Sequence, residues 1–276
     1  MNTHIDEFAS NVGAHANVFG DFLDAETLRN RAPAVFAGTA HERTSPSYAF
    51  LSTQKVLEAL DRAGFRPVQA LQTTSRVRSP LHARHMVRLR RTYESVDLRD
   101  SVPELVLTNS HDGSAAYHLR IGIYRTVCRN GLVVCDGTFP VWRVAHRGNI
   151  LDELISAALH MTERFEALAA QVERMERTIL EMERRLAFAG QAVEIRYPDG
   201  KPSGLDPAKL LVPRRTEDVG DDAWRTLNVV QEHLLRGGVR LPEEQGRRRS
   251  TRGLSSIRQN VRVNTALWEA AAALAA

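Results

Sequence analysis

The sequence contains few of the residues on which disulfide, metal or membrane-spanning structures depend. Only two of its 276 residues are cysteines, Cys128 and Cys135, which is too few for a disulfide framework. Zinc sites usually show cysteine pairs closer than these, so inert thiols are expected. No apolar run is long enough to cross a membrane, and the polar start, with Asp6 and Glu7, is unlike a secretory signal. We therefore expect a soluble, cytoplasmic protein with no metal, no cofactor and no membrane partner.

Recognised catalytic signatures are also missing. The sequence has no glycine-rich phosphate loop, paired-carboxylate motif or metalloprotease signature. Ser110-His111-Asp112 contains the residue types of a catalytic triad, but adjacent residues cannot converge as that relay requires. The same residues, followed by Gly113, are typical of a tight turn with local hydrogen bonds. The sequence therefore predicts no catalytic residues.

Lysine is scarce as well, although the chain is basic. Only three of the 37 basic residues are lysines, so the other 34 are arginines, against a net charge of +4. Arginine binds phosphates with a forked pair of donors and stacks on bases better than lysine does. Codon usage in a GC-rich genome is the alternative explanation for the preference.

The arginines are clustered in two parts of the chain. Eight lie between residues 236 and 262, where the only acids are Glu243 and Glu244. The other cluster, between residues 76 and 91, contains no acid, adjoins Tyr93 and consists of Arg76, Arg78, Arg84, Arg88, Arg90 and Arg91. A cationic groove with nearby aromatic side chains is typical of single-stranded nucleic-acid binding, whereas a solvated face is the alternative. These six arginines and Tyr93 are the predicted nucleic-acid-binding residues.

Alternating apolar residues predict an antiparallel sheet in the first half of the chain. A helix is expected from Ser52 or Thr53 to Ala63, with Gly64 as its end. The strands that we expect after it cover residues 67–74, 85–90, 104–108, 117–123, 132–134 and 140–144. In residues 85–90 the arginines alternate with Val87 and Leu89, which indicates a sheet with one cationic, solvated face. Asn130-Gly131 favours a two-residue hairpin turn.

A heptad pattern of apolar residues follows the sheet. It extends from Leu151 to Leu186 and predicts one helix of about 36 residues, roughly 54 Å long at 1.5 Å per residue. Such a helix either packs within its own fold or pairs with a second chain. We expect it to support a homo-oligomer through residues 151–186.

The C-terminal part is predicted to be mainly helical. A linker is expected over residues 197–215, a helix from Asp221 or Asp222 to Gly237, a basic loop at 247–252 and a last helix over 263–275. The predicted fold is thus α+β: an antiparallel β-meander packed with a long heptad-patterned helix, followed by a small helical C-terminal region. Its predicted parts are an N-terminal arm (1–40), a sheet core with one leading helix (41–149), the long helix (150–189) and the C-terminal region (190–276).

Several short motifs resemble a family carried by plasmids and phages, domain of unknown function 932. They include Asn109–Gly113, Cys128–Val134, Gly220–Trp224, Asn228–Glu232 and Ala266–Trp268, in order from about residue 43 to the C-terminus. The resemblance implies a link with mobile genetic elements. The order of the predicted elements is similar to that of Rad52-like single-strand annealing proteins, which is an analogy at the level of the fold.

The leading functional hypothesis is a non-catalytic protein that binds or anneals single-stranded DNA during recombination, replication or transfer of a mobile element. The alternative is an anti-defence or regulatory factor that uses the long helix to bind another protein. A third possibility is an enzyme that uses Cys128 or His111.

Overall fold

The structure is a computed structural model that describes residues 22–73, 79–92, 96, 98, 100–126, 130–200, 202, 204–244 and 246–276. It contains seven α-helices within these residues: α1 (Ala25–Arg31), α2 (Thr53–Arg62), α3 (Ile150–Thr162), α4 (Phe165–Arg177), α5 (Met182–Arg196), α6 (Ala223–Arg236) and α7 (Ile257–Leu274). The strands are β1 (Phe65–Gln72), β2 (His85–Arg91), β3 (Ser101–Asn109), β4 (Tyr117–Arg125), β5 (Asn130–Val134), β6 (Trp142–Val144), β7 (Gly237–Glu244) and β8 (Arg247–Arg252).

The chain divides into two compact units. The first contains residues 1–126 and 137–165, and the second contains residues 127–136 and 166–276. These boundaries differ from the four parts expected from the sequence, because α3 belongs with the sheet whereas α4 and α5 belong with the C-terminal helices. Most of the predicted N-terminal arm, residues 1–21, lies outside the described residues.

The first unit confirms the expected α+β class with an antiparallel sheet. Its strands lie in the order β1-β2-β3-β4, and β6 pairs with β4. Alternation places Val87 and Leu89 on the side of the sheet that is buried with the apolar face of α2. Helix α2 begins as predicted, since the Ser52 hydroxyl accepts a hydrogen bond from the Lys55 amide, and Gly64 follows it with φ of +86°.

The single long helix predicted over residues 151–186 is wrong. Three helices replace it, with breaks between Thr162 and Phe165 and between Arg177 and Met182. The second break has a clear cause, because residues 178–180 are extended and hydrogen-bonded to the segment that precedes α6. The Leu180 amide donates to the Asp221 carbonyl at 2.8 Å, and the Ala223 amide donates to the Thr178 carbonyl at 2.9 Å.

The second unit differs from the prediction at two other places. The basic segment 247–252 is not a loop but strand β8, which pairs with β7 in an antiparallel hairpin. Asn130 and Gly131 lie at the start of β5 rather than in a two-residue turn, and residues 127–129 lie outside the described residues. Helix α6 begins as predicted, because the Asp222 side chain accepts a hydrogen bond from the Arg225 amide at 2.8 Å.

Among the helices that the structure describes, none combines the length and the apolar character needed to cross a lipid bilayer.

Candidate nucleic-acid interface

One side of the sheet in the first unit carries most of its arginines, and we call it the arginine face. The strand register places Thr108 of β3 beside His118 of β4, and His118 beside Arg143 of β6. Arg120 follows two residues along β4 and therefore lies on the same face. Its guanidinium donates a hydrogen bond to the Thr108 hydroxyl at 3.1 Å. The neighbouring strands β4 and β6 thus contribute partly exposed polar side chains to one surface, beside the buried Thr108 of β3.

The pKa of His118 reflects the positive charge of this surface. Its pKa is lowered, first by partial burial and then by the positive charge of Arg120, with further contributions from Arg143 and Arg84. A hydrogen bond from Nδ1 to the Ala116 carbonyl, at 3.1 Å, acts in the opposite direction. Three guanidinium groups from different parts of the sheet therefore act on one imidazole. Such a concentration of positive charge attracts phosphate groups.

Two of the predicted phosphate-binding arginines are buried, so their placement on a solvated face was wrong. Arg88 and Arg90 both form ion pairs with Glu104, and the Arg90 Nε lies 2.6 Å from the Glu104 Oε1. The side chain of Glu104 is fully buried. A buried guanidinium that is already bound to a carboxylate is not available to an incoming phosphate. These two arginines have a structural role instead.

The other predicted residues have different environments. Arg84 donates a hydrogen bond to the Ser114 carbonyl at 3.2 Å, next to the arginine face. Arg91 is partly exposed, with its guanidinium 6.0 Å from the centre of the Phe65 ring. Arg76, Arg78 and Tyr93 lie outside the described residues.

Sequence reasoning missed Arg120, Arg143 and His118 as members of this surface. The alternation of residues 117–123 was the available signal, but the neighbours of a strand depend on sheet register, which the sequence does not reveal. Two further tyrosines lie on the strands of this sheet. Tyr124 lies on the arginine face, where the Arg90 guanidinium lies 4.2 Å from the centre of its ring. Tyr117 is fully buried and cannot stack on a base.

The other side of the sheet carries a buried polar network that the sequence did not predict. The Thr53 hydroxyl, at the start of α2, lies 2.7 Å from His85 Nε2 and 3.2 Å from His111 Nε2. His85 Nδ1 donates to the Ala83 carbonyl at 3.0 Å. With both imidazoles neutral, His85 Nε2 accepts a hydrogen bond from the Thr53 hydroxyl, and His111 Nε2 donates to the same hydroxyl.

Burial explains the charge state of these two histidines. It lowers the pKa of His85 to about 4, and it lowers the pKa of His111 to about 3 with help from the charges of neighbouring histidines. Asp112 has the predicted turn role, because its carboxylate accepts a hydrogen bond from the Ser114 amide at 3.0 Å. His111, by contrast, is buried in the network rather than in a local turn. Within the described residues, no group of three His, Cys, Asp or Glu side chains has a geometry that could hold a metal ion.

Comparison with known proteins gives a family relationship. The family model described as Domain of unknown function (DUF932) matches residues 40–268. UPF0380 protein YafZ of Escherichia coli (strain K12) is 36% identical over 256 residues, which cover 91% of both chains. UPF0380 protein YfjQ of the same organism is 36% identical over 250 residues, or 89% of both chains. No solved structure matches the chain.

Proposed function

The chain belongs to the DUF932 family, and we propose that it binds single-stranded nucleic acid, preferably DNA, through the arginine face. Arg84, Arg120 and Arg143 are the proposed phosphate contacts. The observation that carries this proposal is the register of β4 and β6, which brings Arg120 and Arg143 together beside His118 on one face of the sheet. The lowered pKa of His118 supports it, because the charges of Arg120, Arg143 and Arg84 all contribute to that shift.

The surface has features suited to a single strand. A sheet face presents side chains along several neighbouring strands, so a flexible backbone can contact charges on more than one of them. Tyr124 supplies an aromatic ring on the same face, partly exposed beside Arg90. The proposed binding role includes no chemical step. We further propose that the protein anneals DNA in recombination, replication or transfer of a mobile element. The likeness in element order to Rad52-like annealing proteins belongs to this proposal.

Fluorescence anisotropy with a labelled DNA single strand, measured across a salt series, tests the proposed site. The variant Arg120→Ala/Arg143→Ala should bind more weakly than the wild type on every sequence. Each lost phosphate contact should reduce the slope of log affinity against log salt by about 0.7. Arg31→Ala is the matched control, because Arg31 is exposed at the end of α1 in the same unit. Equal binding by a folded double variant and by this control would overturn the site.

A second candidate function is protein binding, as a regulatory or anti-defence factor, and one observation favours it. Ile179, Met182 and Leu186 continue the heptad pattern, but they are 61%, 57% and 38% exposed. We call these three residues the apolar stripe. Exposed apolar side chains that lie close together in the chain are typical of protein-contact surfaces. The earlier part of the pattern, including Phe165 and Val172, is buried within the chain and is not available to a partner.

A further inference from the structure

The hairpin formed by β7 and β8 carries a second set of arginines with a regular arrangement. Arg240 lies opposite Ser250, and Leu241 lies opposite Arg249. The two irregularities in the register both fall in β7, so β8 alternates regularly from Arg247 to Arg252. Arg248 and Arg252 therefore lie on the same face as Ser250 and Arg240.

The two faces of this hairpin have opposite character. Val239, Leu241 and Thr251 are buried on one face. On the other face the exposed residues are Gly238, Arg240, Arg248, Ser250 and Arg252. The small residues Gly238 and Ser250 lie among the arginines, so the three long side chains have room to extend from a flat surface. We call this exposed face the hairpin surface.

The hairpin is held firmly by contacts within the second unit. The Val239 amide donates to the Thr251 hydroxyl at 3.1 Å. Arg214 donates to the Gly237 carbonyl at 2.7 Å, and Lys209 donates to the Arg240 carbonyl at 3.0 Å. A side chain at Gly237 would place its Cβ 2.6 Å from the backbone of Arg252. The strands are thus fixed before any ligand arrives, which reduces the entropic cost of binding.

The charge of the hairpin surface is only weakly neutralised. Arg248 lies 4.0 Å from Glu243, and both side chains are largely exposed, so this ion pair contributes little. Glu244 pairs with Arg249, which projects from the opposite face. Arg240, Arg248 and Arg252 therefore present their positive charges to solvent.

We propose that the hairpin surface is a separate binding site for duplex nucleic acid. A two-stranded β-ribbon fits into the major groove, which is about 12 Å wide. Arg248 and Arg252 are each two residues from Ser250, and Arg240 lies opposite Ser250, so charged side chains of the two strands recur about every 7 Å along the ribbon at about 3.4 Å per residue. Such a series of guanidinium groups is suited to the phosphates that line the groove, and arginine also binds the guanine edge within it. An acidic protein would also be attracted to this charge, but it would not require a ribbon of groove width.

This inference does not rest on the proposed single-strand site. It proposes a second nucleic-acid-binding site, formed by residues of the second unit. A protein with both sites would hold a single strand and a duplex at once, as strand invasion requires.

Binding of the full chain to a labelled duplex and to a labelled single strand tests the inference. The variant Arg240→Gln/Arg248→Gln/Arg252→Gln should lose about tenfold or more in duplex affinity, and its salt slope should fall by about 2.7, which corresponds to three contacts. Binding of the single strand should stay close to that of the wild type. The control, Arg174→Gln/Arg177→Gln/Arg184→Gln, removes three exposed arginines from α4 and α5 of the same unit and should change neither. Thermal unfolding of both variants verifies that they are folded.

Three results would overturn the inference. One is a wild type that does not bind the duplex even at about 50 mM salt, where phosphate contacts are strongest. Another is equal duplex binding by the hairpin variant and its control. The third is competition by poly-glutamate as effective as that by duplex DNA, which would indicate an acidic protein as the ligand. Loss of single-strand binding in the Arg120/Arg143 variant is a separate result, so the two sites succeed or fail independently.

Discussion

Arg88 and Glu104 form an ion pair in which the side chains are 2% and 0% exposed. Arg90 binds the other carboxylate oxygen of Glu104, so one buried acid of β3 holds two guanidinium groups of the neighbouring strand β2. Bringing three charged groups out of water is costly unless each has partners. Glu104 of β3 therefore determines whether β2 can carry buried arginines at these two positions.

The first prediction concerns this acid. Glu104→Gln removes the negative charge but keeps the size of the side chain, so two buried guanidinium groups lose the charge of the carboxylate that they share. The free energy of unfolding should decrease by about 3–5 kcal/mol, measured by urea denaturation at neutral pH. Glu173→Gln is the control, because Glu173 forms an exposed pair with Arg177 and should change stability by less than about 1 kcal/mol. Similar losses in the two variants would show that the buried pairs do not stabilise the fold.

This ion pair also shows how far the sequence could predict the sheet. Alternation correctly separated Arg88 and Arg90 from Val87 and Leu89, because side chains in a strand point to opposite faces. It could not show that the arginine side is buried there, since Glu104 belongs to the next strand. Arg143 was missed for the same reason: it meets His118 only through the pairing of β6 with β4.

The second prediction concerns pH. The unfolded-state pKa of a histidine is about 6.5, and burial lowers the folded-state values to about 4 for His85 and about 3 for His111. Between these values the unfolded chain binds more protons than the folded chain does. The contribution of the two histidines to the free energy of unfolding is therefore fully present above about pH 6.5, and it decreases as the pH falls towards 4. Each histidine contributes a slope of up to about 1.4 kcal/mol per pH unit.

The variant His85→Gln tests this assignment, because an amide can donate to Ala83 and accept from Thr53 without titrating. Its unfolding free energy, measured by urea denaturation from pH 7 to pH 4, should depend less steeply on pH than that of the wild type. His160→Gln is the control, since His160 is exposed on α3 and its replacement should leave the slope unchanged. A wild-type slope in His85→Gln would contradict a neutral, buried His85.

The third prediction uses two neighbouring glycines at the base of the hairpin. Gly237 and Gly238 have φ of +70° and +83°, where any other residue is strained. A Cβ at Gly237 would also collide with the backbone of Arg252 and Gly253, whereas a Cβ at Gly238 meets nothing within 4 Å. Gly238→Ala should therefore cost about 1–2 kcal/mol of stability from backbone strain alone. Gly237→Ala should cost clearly more in the same urea titration, and equal costs would show that the close approach of β7 and β8 is not required.

The heptad pattern shows a different limit of sequence reasoning. It correctly indicated helices on both sides of residue 178, because helical periodicity is a local property. The break is not local: the carbonyl of Thr178 and the amide of Leu180 bond to residues 221–223, far along the chain. The break leaves Ile179 and Met182 exposed, although the pattern predicted that they would lie in a seam.

The fourth prediction tests whether the homo-oligomer expected through residues 151–186 forms through the apolar stripe. The weight-average mass of the wild type, measured by sedimentation over a range of concentrations, should increase with concentration. The variant Ile179→Glu/Met182→Glu should remain monomeric, because burying two carboxylates in an apolar contact costs several kcal/mol of association free energy. Folding of the variant should be unaffected, since both positions are exposed in the single chain.

Val212→Glu is the control, because Val212 is 60% exposed and lies outside the stripe. This variant should self-associate as the wild type does. A wild type that stays monomeric, or a stripe variant that associates normally, would exclude self-association through these residues. If the wild type is monomeric, the stripe would then be tested for binding to a different protein.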